Sequence, residues 1–103
     1  SKNMAREIKI LVACGSGVAT STVAQEAVKD ICARNNILVR IIKGTMSEIP
    51  SKQDNVDIIC VTTKYNSPVT KPCLSVFGLI SGIGAEKIEE DLVALCKTVS
   101  STA

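Results

Sequence analysis

The stretch that decides the fold is EIKILVACGSGVATSTVAQEAV, residues 7–28. Its first part, residues 7–13, is a short apolar run with β-branched residues, which is typical of a strand buried on both faces. Gly15 and Gly17 then interrupt the pattern, and over residues 19–33 the apolar positions recur at helical spacing. A strand followed directly by a helix predicts a β-α unit of a parallel sheet.

The remaining sequence repeats this alternation. Strands are predicted at 37–43, 56–63 and 73–77, and a last helix from just after Gly82 to residue 99. Asn35 and Asn36 are expected to end the first helix, and Pro50 limits the polar segment 44–55 to a helical turn or two. The pattern predicts an α/β, three-layer, Rossmann-like domain with a four-stranded parallel sheet in the order 2-1-3-4 and flanking helices. We expect one domain over residues 7–99, a disordered lead at 1–6 and a disordered tail at 100–103.

Composition excludes several classes of function. A net charge of +2 over 103 residues, without a basic run and with only two aromatic residues, argues against nucleic-acid binding. No apolar run reaches the length of a membrane span, and residues 1–6 do not resemble a signal peptide. Five cysteines without a Cys-x-x-Cys pair favour a reducing, cytoplasmic setting. The chain contains no histidine, so we expect no common zinc site and no Cys–His catalytic pair.

The segment between the first strand and the first helix is the candidate site, since ligands of open parallel sheets lie beyond the carboxyl ends of the strands. Its two glycines allow successive N–H groups to point inward, and the helix start adds unpaired N–H groups. Together these N–H groups form an anion site of phosphate size. We expect the Cys14 thiolate to be the nucleophile that attacks a phosphoryl group held there, and this step needs no metal or cofactor. The predicted phosphate-binding residues are Gly15, Ser16, Gly17, Val18, Ala19, Thr20 and Ser21.

Other interpretations of this loop remain open from the residues alone. Cys14 could be a small apolar residue that ends a strand, because Gly-x-Gly after a strand is common in α/β folds. A dinucleotide-binding loop is disfavoured because its third glycine would fall at Thr20. A Walker A loop is excluded by the absence of Gly-Lys-Ser/Thr.

A cysteine-headed loop after the first strand resembles two families. The first comprises the low-molecular-weight tyrosine phosphatases and related arsenate reductases, with the pattern Cys-x5-Arg-Ser/Thr. Here the arginine position is Thr20, and the later loop has Ser67 rather than an acidic residue before Pro68. The arginine that would hold the phosphoryl group and the general acid of these enzymes are therefore both missing.

The run from Ile10 to Thr22, together with Val61-Thr62-Thr63 and the segment from Ser81 to Gly84, is more similar to the galactitol-type enzyme IIB of the bacterial sugar phosphotransferase system. The resemblance implies that Cys14 accepts a phosphoryl group from a histidine of phosphorylated IIA. It further implies transfer to a sugar or alditol, galactitol being the nearest, bound by the membrane component IIC in a transient contact. The chain would then be a phosphotransferase, and the missing arginine and acid suit a carrier that holds its phosphate.

The other cysteines and the loop after the third strand are assigned no chemistry. Cys32, Cys60 and Cys96 are expected to be buried small residues. Cys73, beside Pro72, is a candidate resolving thiol if the chain were an arsenate reductase, although a structural role is favoured. Lys64, Lys71 and Tyr65 are expected near the Cys14 end of the sheet, where the lysines either attract phosphorylated partners or simply belong to a solvated loop, the second being at least as consistent with the sequence.

Overall fold

The alternation of strands and helices expected from the sequence is present in a computed structural model of the chain. The model describes residues 7–14, 18–63, 65 and 68–102, with side chains for 7–14, 22–63, 65 and 68–99. The strands are β1 Ile8–Cys14, β2 Val39–Thr45, β3 Ile58–Val61 and β4 Cys73–Ser75. The helices are α1 Val18–Arg34, α2 Ile49–Lys52, α3 Phe77–Ser81 and α4 Ala85–Thr102. Single 3₁₀ turns, Met46–Glu48 and Gln53–Asn55, flank α2.

The four strands form one sheet in the order β2-β1-β3-β4, with every neighbouring pair parallel. This confirms the predicted topology. The strand β1 is central and pairs with β2 over its whole length, from Ile8 opposite Val39 to Cys14 opposite Thr45. Because all strands run the same way, their carboxyl ends lie along a single edge of the sheet, and Cys14 lies in the middle of that edge.

Side chains of β1 alternate between two apolar clusters, one on each face of the sheet. Ile10 and Val12 belong to the cluster that includes residues of α1, α3 and α4. Leu11 and Ala13 belong to the cluster on the other face, which α2 covers through Ile49. This two-sided burial explains why β1 is a continuous apolar run rather than an alternating one.

The end of α1 is set by the asparagine pair that the sequence predicts to stop it. Asn36 has a φ of 59°, in the left-handed region. Its N–H donates to the carbonyl of Ala33 at 3.2 Å, and the N–H of Ile37 donates to the carbonyl of Cys32 at 2.8 Å. These two bonds form a Schellman motif, which satisfies the last carbonyls of a helix and turns the chain into the next element.

The carboxyl-terminal third of the chain differs from the prediction in two places. Residue 77, expected to end the fourth strand, instead begins α3, whose five residues are too few to show a helical period in the sequence. A Cβ on Gly78 would lie 2.4 Å from the carbonyl oxygen of Ile83, so glycine is required where α3 meets the following turn. The helix α4 continues to Thr102. The tail predicted to begin at residue 100 is therefore helical as far as 102, while residue 103 and the predicted lead at 1–6 lie outside the described residues.

Candidate functional site

Cys14 is the last residue of the central strand β1, where the sequence analysis placed the nucleophile. On one side it pairs with Thr45, the last residue of β2. On the other side β3 ends at Val61, which pairs with Ala13, and the next residue, Thr62, donates its N–H to the carbonyl of Ala13 at 3.1 Å. Cys14 is therefore flanked on both sides by a threonine at the carboxyl edge of the sheet.

The segment from Cys14 to Ser21 is only partly within the described structure. Gly15, Ser16 and Gly17 lie outside the described residues, and the side chains of Val18, Ala19, Thr20 and Ser21 are likewise not described. The backbone shows that α1 begins at Val18, one residue before the expected start. Three residues thus separate the end of β1 from the start of a seventeen-residue helix, whose first N–H groups have no partner within the helix. The phosphate-binding role of the loop stays a prediction.

The side chain of Cys14 is buried, with 5% of its surface exposed, and belongs to the cluster that contains Val12 and Ala24. The sequence analysis expected it at the mouth of a site, whereas the structure places it at the margin of the core, on the face covered by α1. Burial of this kind is also what a purely structural cysteine shows. What distinguishes Cys14 from a structural cysteine is therefore its position at the end of the central strand, and not its burial.

The two threonines beside Cys14 differ in their surroundings. Thr45 is exposed, and its Oγ1 lies 3.0 Å from the Oγ of Ser47. Its N–H donates to the Glu48 carboxylate at 2.8 Å, a bond that lowers the pKa of that carboxyl. Thr62 is 3% exposed. Neither threonine was assigned a role from the sequence. The predicted second strand ended at residue 43, which left out the register of Thr45 with Cys14, and Thr62 entered only as part of the run Val61-Thr62-Thr63 that carries the family resemblance.

The interior cysteines have the structural role predicted for them. Cys32, Cys60 and Cys96 are buried in the cluster between the sheet and the helices α1 and α4. Burial raises the pKa of the Cys60 thiol well above its ordinary value. A hydrogen bond with Cys32, together with burial, raises the pKa of Cys96, and the same hydrogen bond lowers that of Cys32. A raised pKa keeps Cys60 and Cys96 protonated and unreactive near neutral pH.

Cys73 is exposed but is too far from Cys14 to act as its resolving thiol. It pairs with Ile59, which pairs with Leu11, so Cys73 lies two strands away and three residues back from Cys14. At about 4.8 Å per strand and about 3.3 Å per residue, the two Cα atoms are about 14 Å apart. A disulfide requires a Cα separation of about 4.4–6.8 Å, so the pair cannot close without rearrangement of the sheet.

The expectation that the lysines after β3 surround Cys14 is wrong for Lys71. Its Nζ donates to the carbonyl of Val56 at 2.7 Å, just before β3 begins. Lys71 itself just precedes β4, so this end of the loop has returned to the amino edge of the sheet. Tyr65 packs on the cluster beneath α2, and Lys64 lies outside the described residues.

The described part of the chain shows neither a metal-binding cluster nor a membrane-spanning helix. Within it, no group of three or more His, Cys, Asp or Glu side chains is placed to hold a metal ion. None of the helices formed by these residues has the length and apolar character required to cross a membrane.

Comparison with known proteins gives a consistent result. Residues 9–94 match the family model described as the lactose/cellobiose-specific IIB subunit of the phosphotransferase system. The galactitol-specific EIIB component of Escherichia coli K12 is 39% identical over 84% of this chain and 94% of its own length. The corresponding component of Escherichia coli O157:H7 is 35% identical over the same shares. The fold resembles the solution structure of the cellobiose-specific IIB component of Borrelia burgdorferi, with a TM-score of 0.58 at 16% identity over 94% of both chains.

Proposed function

Because the chain belongs to the IIB family of the sugar phosphotransferase system, we propose that Cys14 is the residue on which it carries the phosphoryl group. IIB components are phosphotransferases, and this chain is a phosphoryl carrier of that kind. The family match and the relatives named above support this function over the phosphatase or arsenate reductase alternative. The single observation that carries the assignment is the place of Cys14 at the end of the central strand, separated by three residues from the start of α1.

The proposed chemistry consists of two displacements at phosphorus. In the first, the Cys14 thiolate attacks the phosphoryl group of a phosphohistidine on IIA, so that an S–P bond forms as the N–P bond breaks and the imidazole leaves. In the second, a hydroxyl oxygen of the sugar attacks the same phosphorus, the S–P bond breaks, the thiolate is regenerated and the hydroxyl proton is lost. The donor imidazole must come from another protein, since this chain has no histidine.

The loop residues 15–21 are proposed to hold the phosphoryl group with main-chain N–H donors. Support comes from the start of α1 at Val18, because the first N–H groups of a helix lack partners within it and attract anions. A carrier must bind its phosphoryl group without hydrolysing it. The missing arginine at Thr20 agrees with that requirement, because it removes a charge that would stabilise the transition state of hydrolysis.

The proposed partners are phosphorylated IIA as donor and IIC as the site of the acceptor, with the chain working on the cytoplasmic side of the membrane. Galactitol is the proposed acceptor. The description of the matching family model names lactose and cellobiose. The relatives that share 35–39% identity over most of both chains are named as galactitol-specific. The relatives support galactitol, because they match over most of both chains, whereas the family description itself names more than one sugar.

The test is phosphorylation by IIA, followed by peptide mapping. Trypsin places each of the five cysteines on a separate peptide, and Cys14 is the single cysteine of residues 10–29. Incubation with phosphorylated IIA of a galactitol system should add one phosphoryl group to that peptide. Mapping should be prompt and near neutral pH, because thiol-bound phosphate is labile in acid. Cys14→Ser should abolish labelling, and Cys73→Ser, the matched change at the exposed cysteine, should leave it intact.

Two results would contradict the proposal. Labelling of any peptide other than residues 10–29 would remove Cys14 from its role. Steady hydrolysis of an aryl phosphate that is lost in Cys14→Ser would favour the phosphatase alternative. Parallel reactions with IIA from a lactose or cellobiose system test the sugar type, since faster labelling by those donors would argue against galactitol.

A further inference from the structure

The carboxyl edge of the sheet carries a row of three side chains that we call the edge row: Thr45, Cys14 and Thr62. Cys14 and Thr45 are register partners. Ala13 pairs with Val61, and the next residue, Thr62, donates its N–H to the carbonyl of Ala13 within that pairing, so Thr62 follows the end of β3 beside Cys14. Neighbouring strands are about 4.8 Å apart, so each threonine is an immediate neighbour of the cysteine.

All three members of the edge row lie on the same face of the sheet. Val12 faces the cluster beneath α1, and Cys14, two residues later, belongs to the same cluster. On β3, Cys60 faces that cluster and Val61 faces the opposite one, and we infer from this alternation that Thr62, the first residue after the strand, returns to the face of Cys14. On β2, a Cβ on Gly44 would meet Leu11 on the opposite face, which leaves Thr45 on the face of Cys14.

The burial of Thr62 requires an explanation. It is the only polar side chain among the buried residues of the described structure. Its neighbours along β3, Cys60 and Val61, are apolar and buried. Valine would fill the same volume with apolar atoms alone. No side-chain oxygen of the described structure is both fully buried and without a partner, so a threonine at this position suggests a hydroxyl available to the adjacent site.

We propose that the hydroxyls of Thr45 and Thr62 donate hydrogen bonds to the phosphoryl oxygens on Cys14, one from each flanking strand. This inference rests on the proposed function, because it needs a phosphoryl group on Cys14. The phosphoryl oxygens extend beyond the sulfur, within reach of hydroxyls on the two neighbouring strands. Hydrogen bonds to a charged acceptor are stronger than neutral ones, so the two donors stabilise the phosphorylated form. Thr62 has the larger role, since its side chain lies in a buried position with 3% of the residue exposed, whereas Thr45 is exposed and already contacts Ser47.

The experiment measures the equilibrium of phosphoryl transfer between IIA and this chain. The two proteins are mixed at fixed concentrations, and the ratio of phosphorylated IIA to the phosphorylated 10–29 peptide is determined. Thr62→Val removes the hydroxyl and keeps the shape, and it should shift the equilibrium at least about tenfold toward phosphorylated IIA. Thr45→Val should cause a smaller shift in the same direction. Thr62→Ser, which restores a hydroxyl, should return the equilibrium toward that of the original chain.

Thr63→Val is the matched control, since Thr63 is the exposed neighbour of Thr62 and should leave the equilibrium unchanged. An unchanged equilibrium in Thr62→Val would overturn this inference alone, provided that the original chain is phosphorylated on Cys14. A shift in Thr62→Val that Thr62→Ser does not reverse would show a packing effect, and would also overturn it. If the original chain is never labelled on Cys14, the proposed function fails and this inference fails with it.

Discussion

Two rows of side chains on one face of the sheet differ sharply in chemistry although they are only two residues apart. The edge row holds Thr45, Cys14 and Thr62. The row behind it, which we call the inner row, holds Val12, Cys60 and Leu74, in register across β1, β3 and β4. Each row contains one cysteine near its centre. If the role proposed for Cys14 holds, the same residue type serves chemistry at the end of a strand and packing one step inside.

The physical reason lies in what each sulfur can reach. Cys60 is fully buried among apolar side chains, and burial raises the pKa of its thiol. Cys14 is also largely buried, but it lies where β1 ends and has hydroxyl-bearing neighbours on both adjacent strands. The inner row therefore packs the core, whereas the edge row is where we propose that the phosphoryl group is held.

The largest expected difference between the two rows is in alkylation of the native protein. With iodoacetamide at pH 8, the peptide 53–64 that carries Cys60 should react at least about a thousandfold more slowly than the peptide of exposed Cys73, because its thiol is reached only through global unfolding. The peptide of Cys14 should be modified well before that of Cys60, because local opening of the edge is sufficient. Quantitative mass spectrometry of the tryptic peptides measures both rates.

Guanidinium chloride at 6 M is the control for that experiment, since unfolding should make the cysteine peptides react at similar rates. Equal alkylation rates for Cys60 and Cys73 in the native protein would contradict the predicted difference between the rows. Equal protection of Cys14 and Cys60 from alkylation would contradict it as well.

The same substitution placed in each row should give a smaller but still clear difference in stability. Cys60→Ser puts a hydroxyl among apolar side chains and should lower the free energy of unfolding by about 1–3 kcal/mol. Cys14→Ser should cost less, because the hydroxyls of the edge row offer hydrogen-bond partners. Urea denaturation followed by circular dichroism measures both values. Equal losses for the two variants would show that the rows do not differ in polarity.

The smallest expected effect is a decline in stability at alkaline pH. Thiols of the unfolded chain lose their protons above about pH 8.5, whereas Cys60 in the folded chain keeps its proton. The unfolded state then binds fewer protons, so the free energy of unfolding falls as the pH rises, by about 1.4 kcal/mol per pH unit for this thiol. Urea denaturation at pH 8, 9 and 10 measures the slope, and Cys60→Ala should make it shallower. A slope that is the same in the variant would exclude Cys60 as its source.

Much of the fold follows from local pattern. The apolar run of β1, the helical spacing of α1 and the asparagine pair at its end are short-range features, and each predicts its element within one or two residues. The short helix α3 is the main omission, because five residues provide no period, and the close approach of Gly78 to Ile83 is visible only once the chain has folded.

The sequence by itself determined the parallel sheet, the order of its strands and the position of Cys14 between the first strand and the first helix, because these depend on periodicity and connection length along the chain. Only the tertiary structure decided which residues lie beside that cysteine. Thr45 and Thr62 are 31 and 48 positions away in the sequence, and they reach Cys14 through the register of three strands. Register is set by packing on both faces of the sheet, and no local pattern records it.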